Sequence, residues 1–267
     1  MDKSTFTGLF LAIAGIVAGL ILEGGKIAQI LQPTAAMIVF GGTLGAVMIQ
    51  FPLSIVWDAV KALGHVFFNK GADSQETIKA LVGYANRARK EGIVSLDSQL
   101  ASITDAFLKK SLMLAVDGTE PTELRSIMEV ELDNLEERSE RLAQVFESAG
   151  GFSPTIGIIG AVLGLIQVMQ HLENISEVGR GIAVAFVATV YGVGAANILF
   201  LPWAGKLKIK LRQEQALREM TLEGVISILE GMNPRMLETK LSGYLHEKKS
   251  GEQKSGGVAS EREPVGA

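Results

Sequence analysis

The chain has 267 residues, a formal net charge of −4 and no cysteine, which excludes disulfides and thiolate-held metals. A mean hydropathy of +0.29 alongside 20% charged residues means that apolar and charged residues are segregated into blocks, the pattern of a membrane protein with a water-exposed part. The near-balanced charge gives no case for nucleic-acid binding, and His65, His171 and His246 are too scattered to form a ligand set.

The first apolar run lies between Lys3 and Glu23. No A-x-A-like cleavage site follows it, so it reads as a retained span at 4–22 rather than a signal peptide. A short linker around Glu23, Gly24, Gly25 and Lys26 leads to a second span at 32–51, with Pro33 near one end and Pro52 near the other. Together these make an antiparallel hairpin over residues 1–52. Each run is near the 20 or so residues a helix needs to cross a hydrocarbon core.

Residues 53–147 read as a water-exposed helical region. Asp73-x-x-Glu76 has the form of a capping box, opening a helix whose apolar face carries Ile78, Leu81, Val82 and Ala85 and which Gly92 stops. A second helical stretch covers roughly 103–116 and ends at Asp117-Gly118. Thr119 is a candidate N-cap with Pro121 in the first turn. The helix that follows carries Leu124, Ile127, Met128, Leu132, Leu135, Leu142 and Phe146 on one side, acidic residues on the other, and no break before Gly150.

Residues 148–205 form a second hairpin of uncharged runs, with spans at 150–170 and 181–203 and one proline in each, Pro154 and Pro202. A basic amphipathic extension, KLKIKLRQEQALREM, continues to about Glu230, and Asn233-Pro234 starts a short helix ending near Leu245; these helices make up 206–246. The tail 247–267 lacks apolar periodicity and reads as disordered. The fold class is therefore all-α: an integral membrane protein with four transmembrane helices and a cytoplasmic helical region between the second and third spans. The Lys and Arg of the middle region, and above all the cluster Lys206, Lys208, Lys210 and Arg212, place both termini in the cytoplasm by the positive-inside rule.

Small residues recur four apart in every span: Gly15 and Gly19, Gly41 and Gly45, Gly160 and Gly164, then Ala188, Gly192 and Ala196. Such stripes let helix backbones approach closely, within one chain and between copies of it. No span has Asp, Glu, Lys or Arg at its centre. Ion-coupled proteins need an ionisable group inside the membrane, so another chain must supply it if ions are moved. Thr155 and Thr189 are the best polar candidates on the last two spans. Each either lines a passage or bonds back to its own helix. Pro154 and Pro202 are positioned to kink helices at the membrane edge. Arg87, Arg89, Lys90, Glu91 and Asp97 form a charge run that is either a solvated helix end or a docking surface. No P-loop, G-x-S-x-G motif or metal-ligand set is present, so neither enzyme activity nor a cofactor is expected.

The motifs QPTAAMIVFGGTLGAVMIQFP, ARKEGIVSLD, SPTIGIIGAVLGLIQVM, GIAVAFVATVYGVGAANILFLPWAGKLK and LEGVISILEGMNPRMLETKL resemble the MotA family of bacterial flagellar stator proteins, in family order and over all but the tail. The resemblance implies a four-span subunit of the bacterial inner membrane, assembled as a pentamer around a dimer of a MotB-type protein that supplies the missing carboxylate. It implies that ion flow turns the ring and that the cytoplasmic region pushes on the flagellar rotor switch protein. By position, Arg89 and Asp97, within the run that includes Arg87, Lys90 and Glu91, match the rotor-facing charges, with Asp97 where the family often has Glu. Pro154 and Pro202 match the torque-coupling prolines, and Thr189 the fourth-span hydroxyl near the partner's carboxylate.

Sodium-using relatives typically carry Thr in an IGT motif of the third span. Here the motif is IGA, with Ala161, and loss of that oxygen ligand favours protons. Two rival readings are an ExbB/TolQ-type energising subunit, which has a lone span before its cytoplasmic region, and a non-conducting membrane scaffold.

Overall fold

A backbone in hydrocarbon must satisfy its own N–H and C=O groups, so uncharged runs of this length fold as helices. The computed structural model describes residues 3–68 and 74–255. It contains α1 (Lys3–Leu22), α2 (Pro33–Gln50), α3 (Leu53–Phe68), α4 (Ser74–Glu91), α5 (Ala106–Val116), α6 (Pro121–Gln170), α7 (Ile175–Leu229) and α8 (Pro234–Ser255). No strand occurs among the described residues. α1, α2, α6 and α7 are long and apolar enough to cross a membrane: this is an all-α membrane protein.

Two compact units divide the chain. The first comprises residues 1–70 and 137–211, the second residues 71–136 and 212–267. In the first, the α6–α7 hairpin closes through glycine. A Cβ on Gly164 would lie 2.8 Å from the Gly181 carbonyl oxygen, and one on Gly192 would lie 2.6 Å from the Ser153 carbonyl oxygen. α2 joins this pair through Ala35 and Val39, which pack with Val187 and Ala188. Tyr191 fixes the start of α2: its hydroxyl donates to the Ile30 carbonyl and accepts from the Gln32 N–H at 3.3 Å. Further along, α3 buries Val56, Ala59 and Leu63 with Phe146, Ala149, Ala204 and Leu207. Trp203 there is met edge-on by Phe67, Phe146 and Phe200 at centroid distances of 6.1–6.4 Å, a favoured aromatic geometry.

The second unit has a core of large side chains. Leu81, Leu96, Leu112, Leu124, Met128, Met220, Leu237 and Leu241 are fully buried within it. α4 approaches α7 closely at Gly224, where a Cβ would sit 2.7 Å from the Leu81 side chain.

Several local features differ from the sequence reading. The connection between the first two spans is longer than the few residues expected: a 3-10 turn, Ile27–Gln29, lies between the end of α1 and Pro33. α3 is an additional helix, and its residues group with the spans. The helix expected over 103–116 starts at Ala106, because Asp105 caps it by accepting from the Leu108 N–H at 2.7 Å. Thr119 does not cap α6. Its N–H bonds back to Leu114 O at 3.1 Å after Gly118 turns the chain at φ 85°, and α6 begins at Pro121. α8 continues past Leu245 to Ser255, through a segment rich in Glu, Lys and Gln, which favour helix. The expected cap residue Asp73 and residues 256–267 of the tail lie outside the described residues.

Two helices carry a π turn, Met37–Gly41 in α2 and Ala195–Phe200 in α7. In α7 the Leu201 N–H reaches back to Ala196 O, and the next residue, Pro202, has no N–H to offer Ile198. The wide turn is thus set where the ordinary ladder is already interrupted.

Candidate functional site

Two groups of candidate residues lie in separate units. The first is on the α6–α7 hairpin. Pro154 is well inside α6 rather than in a first turn. It cannot donate to the carbonyl of Gly150, and α7 presents glycine to this weakened turn, the Cβ position of Gly192 being 3.3 Å from Pro154 Cα. A Cβ on Gly150 would meet the Leu201 side chain at 2.6 Å, next to Pro202. The prolines therefore sit on a stretch of the hairpin where both ladders are interrupted and glycine lets the two helices come close.

The expected hydroxyls bond back to their helices. Thr189 Oγ1 donates to Ala185 O at 3.3 Å and is half-buried; Thr155 Oγ1 donates to Phe152 O at 2.8 Å and is exposed. Each hydroxyl oxygen retains acceptor capacity. Ala161 is half-buried on α6 and brings no polar atom to it. Asn197, in the π turn, escaped the sequence reading. It is exposed, and its Nδ2 donates to Val193 O at 2.9 Å. An amide in an uncharged run is the signal that would have found it. Ser153 and Thr43 are buried hydroxyls with no hydrogen-bond partner among the described residues.

The second group surrounds the end of α4. Arg89 and Lys90 occupy its last turn, where cations meet the negative end of the helix dipole. Gly92, at φ 83°, reverses the chain, and the 3-10 turn Ile93–Leu96 tucks Leu96 into the core before Asp97 opens the next helical turn. Arg87 is taken up locally, its Nε donating to Glu91 Oε2 at 3.0 Å. Arg89, Lys90 and Asp97 are exposed, and among the described residues none has an ion-pair partner. The structure thus places two open cations and one open anion on either side of a tight turn, with Arg87 and Glu91 neutralising each other.

A third feature had no sequence signal. Glu223 of α7 receives Arg125 Nη2 of α6 at 2.7 Å and Lys240 Nζ of α8. Burial pushes the Glu223 carboxyl up, but hydrogen bonds from Lys240 and Arg125, with their charges, outweigh it and hold the group below the usual carboxylate range. The three residues lie far apart in sequence, so only the fold brings them together.

Comparison with known proteins gives one answer. The family model described as MotA/TolQ/ExbB proton channel family matches residues 99–220, and that described as Motility protein A N-terminal matches residues 6–92. Motility protein A of Bacillus subtilis is 40% identical over 247 residues, covering 92% of this chain and 91% of that protein. The chemotaxis protein PomA of Vibrio alginolyticus is 31% identical over 249 residues, covering 93% and 97%. Among solved structures, C. jejuni MotAB aligns with a TM-score of 0.86 at 36% identity, over 91% of this chain and 96% of that one. The flagellar MotAB stator complex of Bacillus subtilis aligns with a TM-score of 0.84 at 38% identity, over 94% and 99%. With two family models matching most of its length and relatives this similar nearly end to end, the chain belongs to the motility protein A family of flagellar stator proteins.

Proposed function

We propose that this chain is the ring-forming stator subunit of a flagellar motor, which with a MotB-type partner makes a proton channel and converts proton flow into torque. The observation that carries the reading is a glycine-closed hairpin with no Asp, Glu, Lys or Arg in either span. It can shape a dry passage but cannot titrate, so the carboxylate comes from the partner. Five copies surround a partner dimer in the inner membrane, with both termini in the cytoplasm. Gly15, Gly19, Gly41 and Gly45 have open space beside them within the chain, which suits close packing between copies.

Thr155 and Thr189 line the passage beside the partner's carboxylate. Ala161 withholds the oxygen that a dehydrated sodium ion would require. Pro154 and Pro202, at the interrupted ladders, transmit events in the membrane to the cytoplasmic helices. Arg89, Lys90 and Asp97 contact the rotor switch protein, while Arg87 and Glu91 stiffen the turn from which they project.

The test is to express the chain with its MotB-type partner in cells lacking stators, and to measure swimming together with vesicle proton uptake. The wild type restores both, and Arg89→Glu abolishes swimming while assembly and proton uptake persist. Swimming restored without proton uptake, or by Arg89→Glu as fully as by wild type, overturns the corresponding part of the reading.

A further inference from the structure

α3 has two apolar faces, and the fold uses only one. Val56, Ala59 and Leu63 are 8%, 0% and 9% exposed within the core. Leu53, Trp57 and Val60, at i, i+4 and i+7, are 64%, 60% and 47% exposed on the other side. Water does not sustain such a stripe, and the helix is no span: its 16 residues reach about 24 Å, short of a hydrocarbon core of about 30 Å, and it carries Asp58 and Lys61. Its depth is set by α2. Only Phe51 and Pro52 separate the helices, Phe51 is extended, and the Ile55 N–H bonds to Pro52 O at 2.9 Å. α3 therefore starts where the second span leaves the hydrocarbon, and its open stripe continues from the exposed Met48 and Ile49 of α2.

The charges on α3 are sorted as well. Asp58, on the flank, is neutralised by Arg138 at 3.0 Å. Lys61 stands 5.8 Å from the Trp57 ring centroid, an aromatic–cation pair suited to the headgroup layer, where Trp rings and Lys side chains anchor helices. We propose that α3 lies flat in the headgroup layer of the leaflet where α2 ends, with Leu53, Trp57 and Val60 inserted among acyl chains and Lys61 paired with the phosphate of an anionic lipid. This rests on the membrane crossing of α2 and not on torque, so its test needs no motility.

The chain has no cysteine, so Val60→Cys, or Leu53→Cys should the first fold poorly, takes a single fluorescent label. The labelled complex with its partner is placed in phosphatidylcholine vesicles with or without phosphatidylglycerol. Spin-labelled lipid should quench the probe, while iodide quenches it several-fold less than a label at exposed Val94→Cys. Phosphatidylglycerol should strengthen the lipid quenching, and Lys61→Gln should remove that gain. Iodide quenching equal to that of the Val94→Cys label overturns the proposal, as does a probe reached by neither quencher, which would mean a second copy covers the face. A gain that survives Lys61→Gln overturns the phosphate contact.

Discussion

The two units solve the burial problem with opposite materials. The second unit encloses leucine, methionine and phenylalanine and, among its described residues, fully buries no charged side chain, as a protein does in water. The unit containing the spans leaves Phe10, Leu11, Ile49, Ile158, Ile166 and Phe186 exposed, and brings glycine and alanine to its α6–α7 contact. Lipid removes the hydrophobic drive between helices, so what holds a span is how near its backbone can come to the next. In the second unit large side chains stabilise; in the spans they obstruct.

That contrast can be broken most forcefully at Gly192. Its Cβ position is 2.6 Å from one backbone oxygen and 3.0 Å from Gly157 Cα, atoms that cannot step aside. Gly192→Leu should prevent the hairpin from closing, seen as loss of folded protein from membranes, whereas Gly15→Leu, with open space around it, should leave the folded chain intact. In the other unit the reverse change does the harm. Leu112→Ala, in a fully buried position, should destabilise by about 2–5 kcal/mol, measured as earlier thermal loss of hydrogen-exchange protection in α5.

The Glu223 network is a smaller lever. Its carboxyl is held below its ordinary value of 4.5, so it stabilises the fold above that pH and the contribution is lost as pH falls through the folded-state value. Glu223→Gln should cost about 1–3 kcal/mol at neutral pH and flatten the acid dependence, read by hydrogen exchange in α8. The smallest effect has the opposite sign. Ser153 buries a hydroxyl without a hydrogen-bond partner among the described residues, so Ser153→Ala should leave SDS-resistance of the folded chain unchanged or raise it by up to about 1 kcal/mol.

The four membrane helices were legible because an uncharged run of this length has one outcome in hydrocarbon. The charge run from Arg87 to Asp97 was legible as a group, since Gly92 announced the turn, but its division into a local pair and three open charges was not. That depends on a side-chain distance, Arg87 to Glu91 at 3.0 Å, rather than on residue type. α3 was missed because Leu53–Phe68 is apolar on both faces, which blurs the helical period. The π turns were missed because they leave the composition of a span untouched. Tyr191 holding the backbone at Ile30 and Gln32 joins positions whose separation in sequence carries no local signal.

The widened turn of α7 also governs angular phase. A helix advances about 100° per residue, and this i→i+5 turn already holds one residue more than an α turn would, so inserting a further residue between Ala195 and Phe200 would swing Trp203, Ala204 and Leu207 by about that angle, away from the cluster they share with Phe146, while Gly181 to Gly192 kept their aim. A length change harmless in a loop would here rewire half a helix, which makes the residue count of this segment as binding a constraint as its composition.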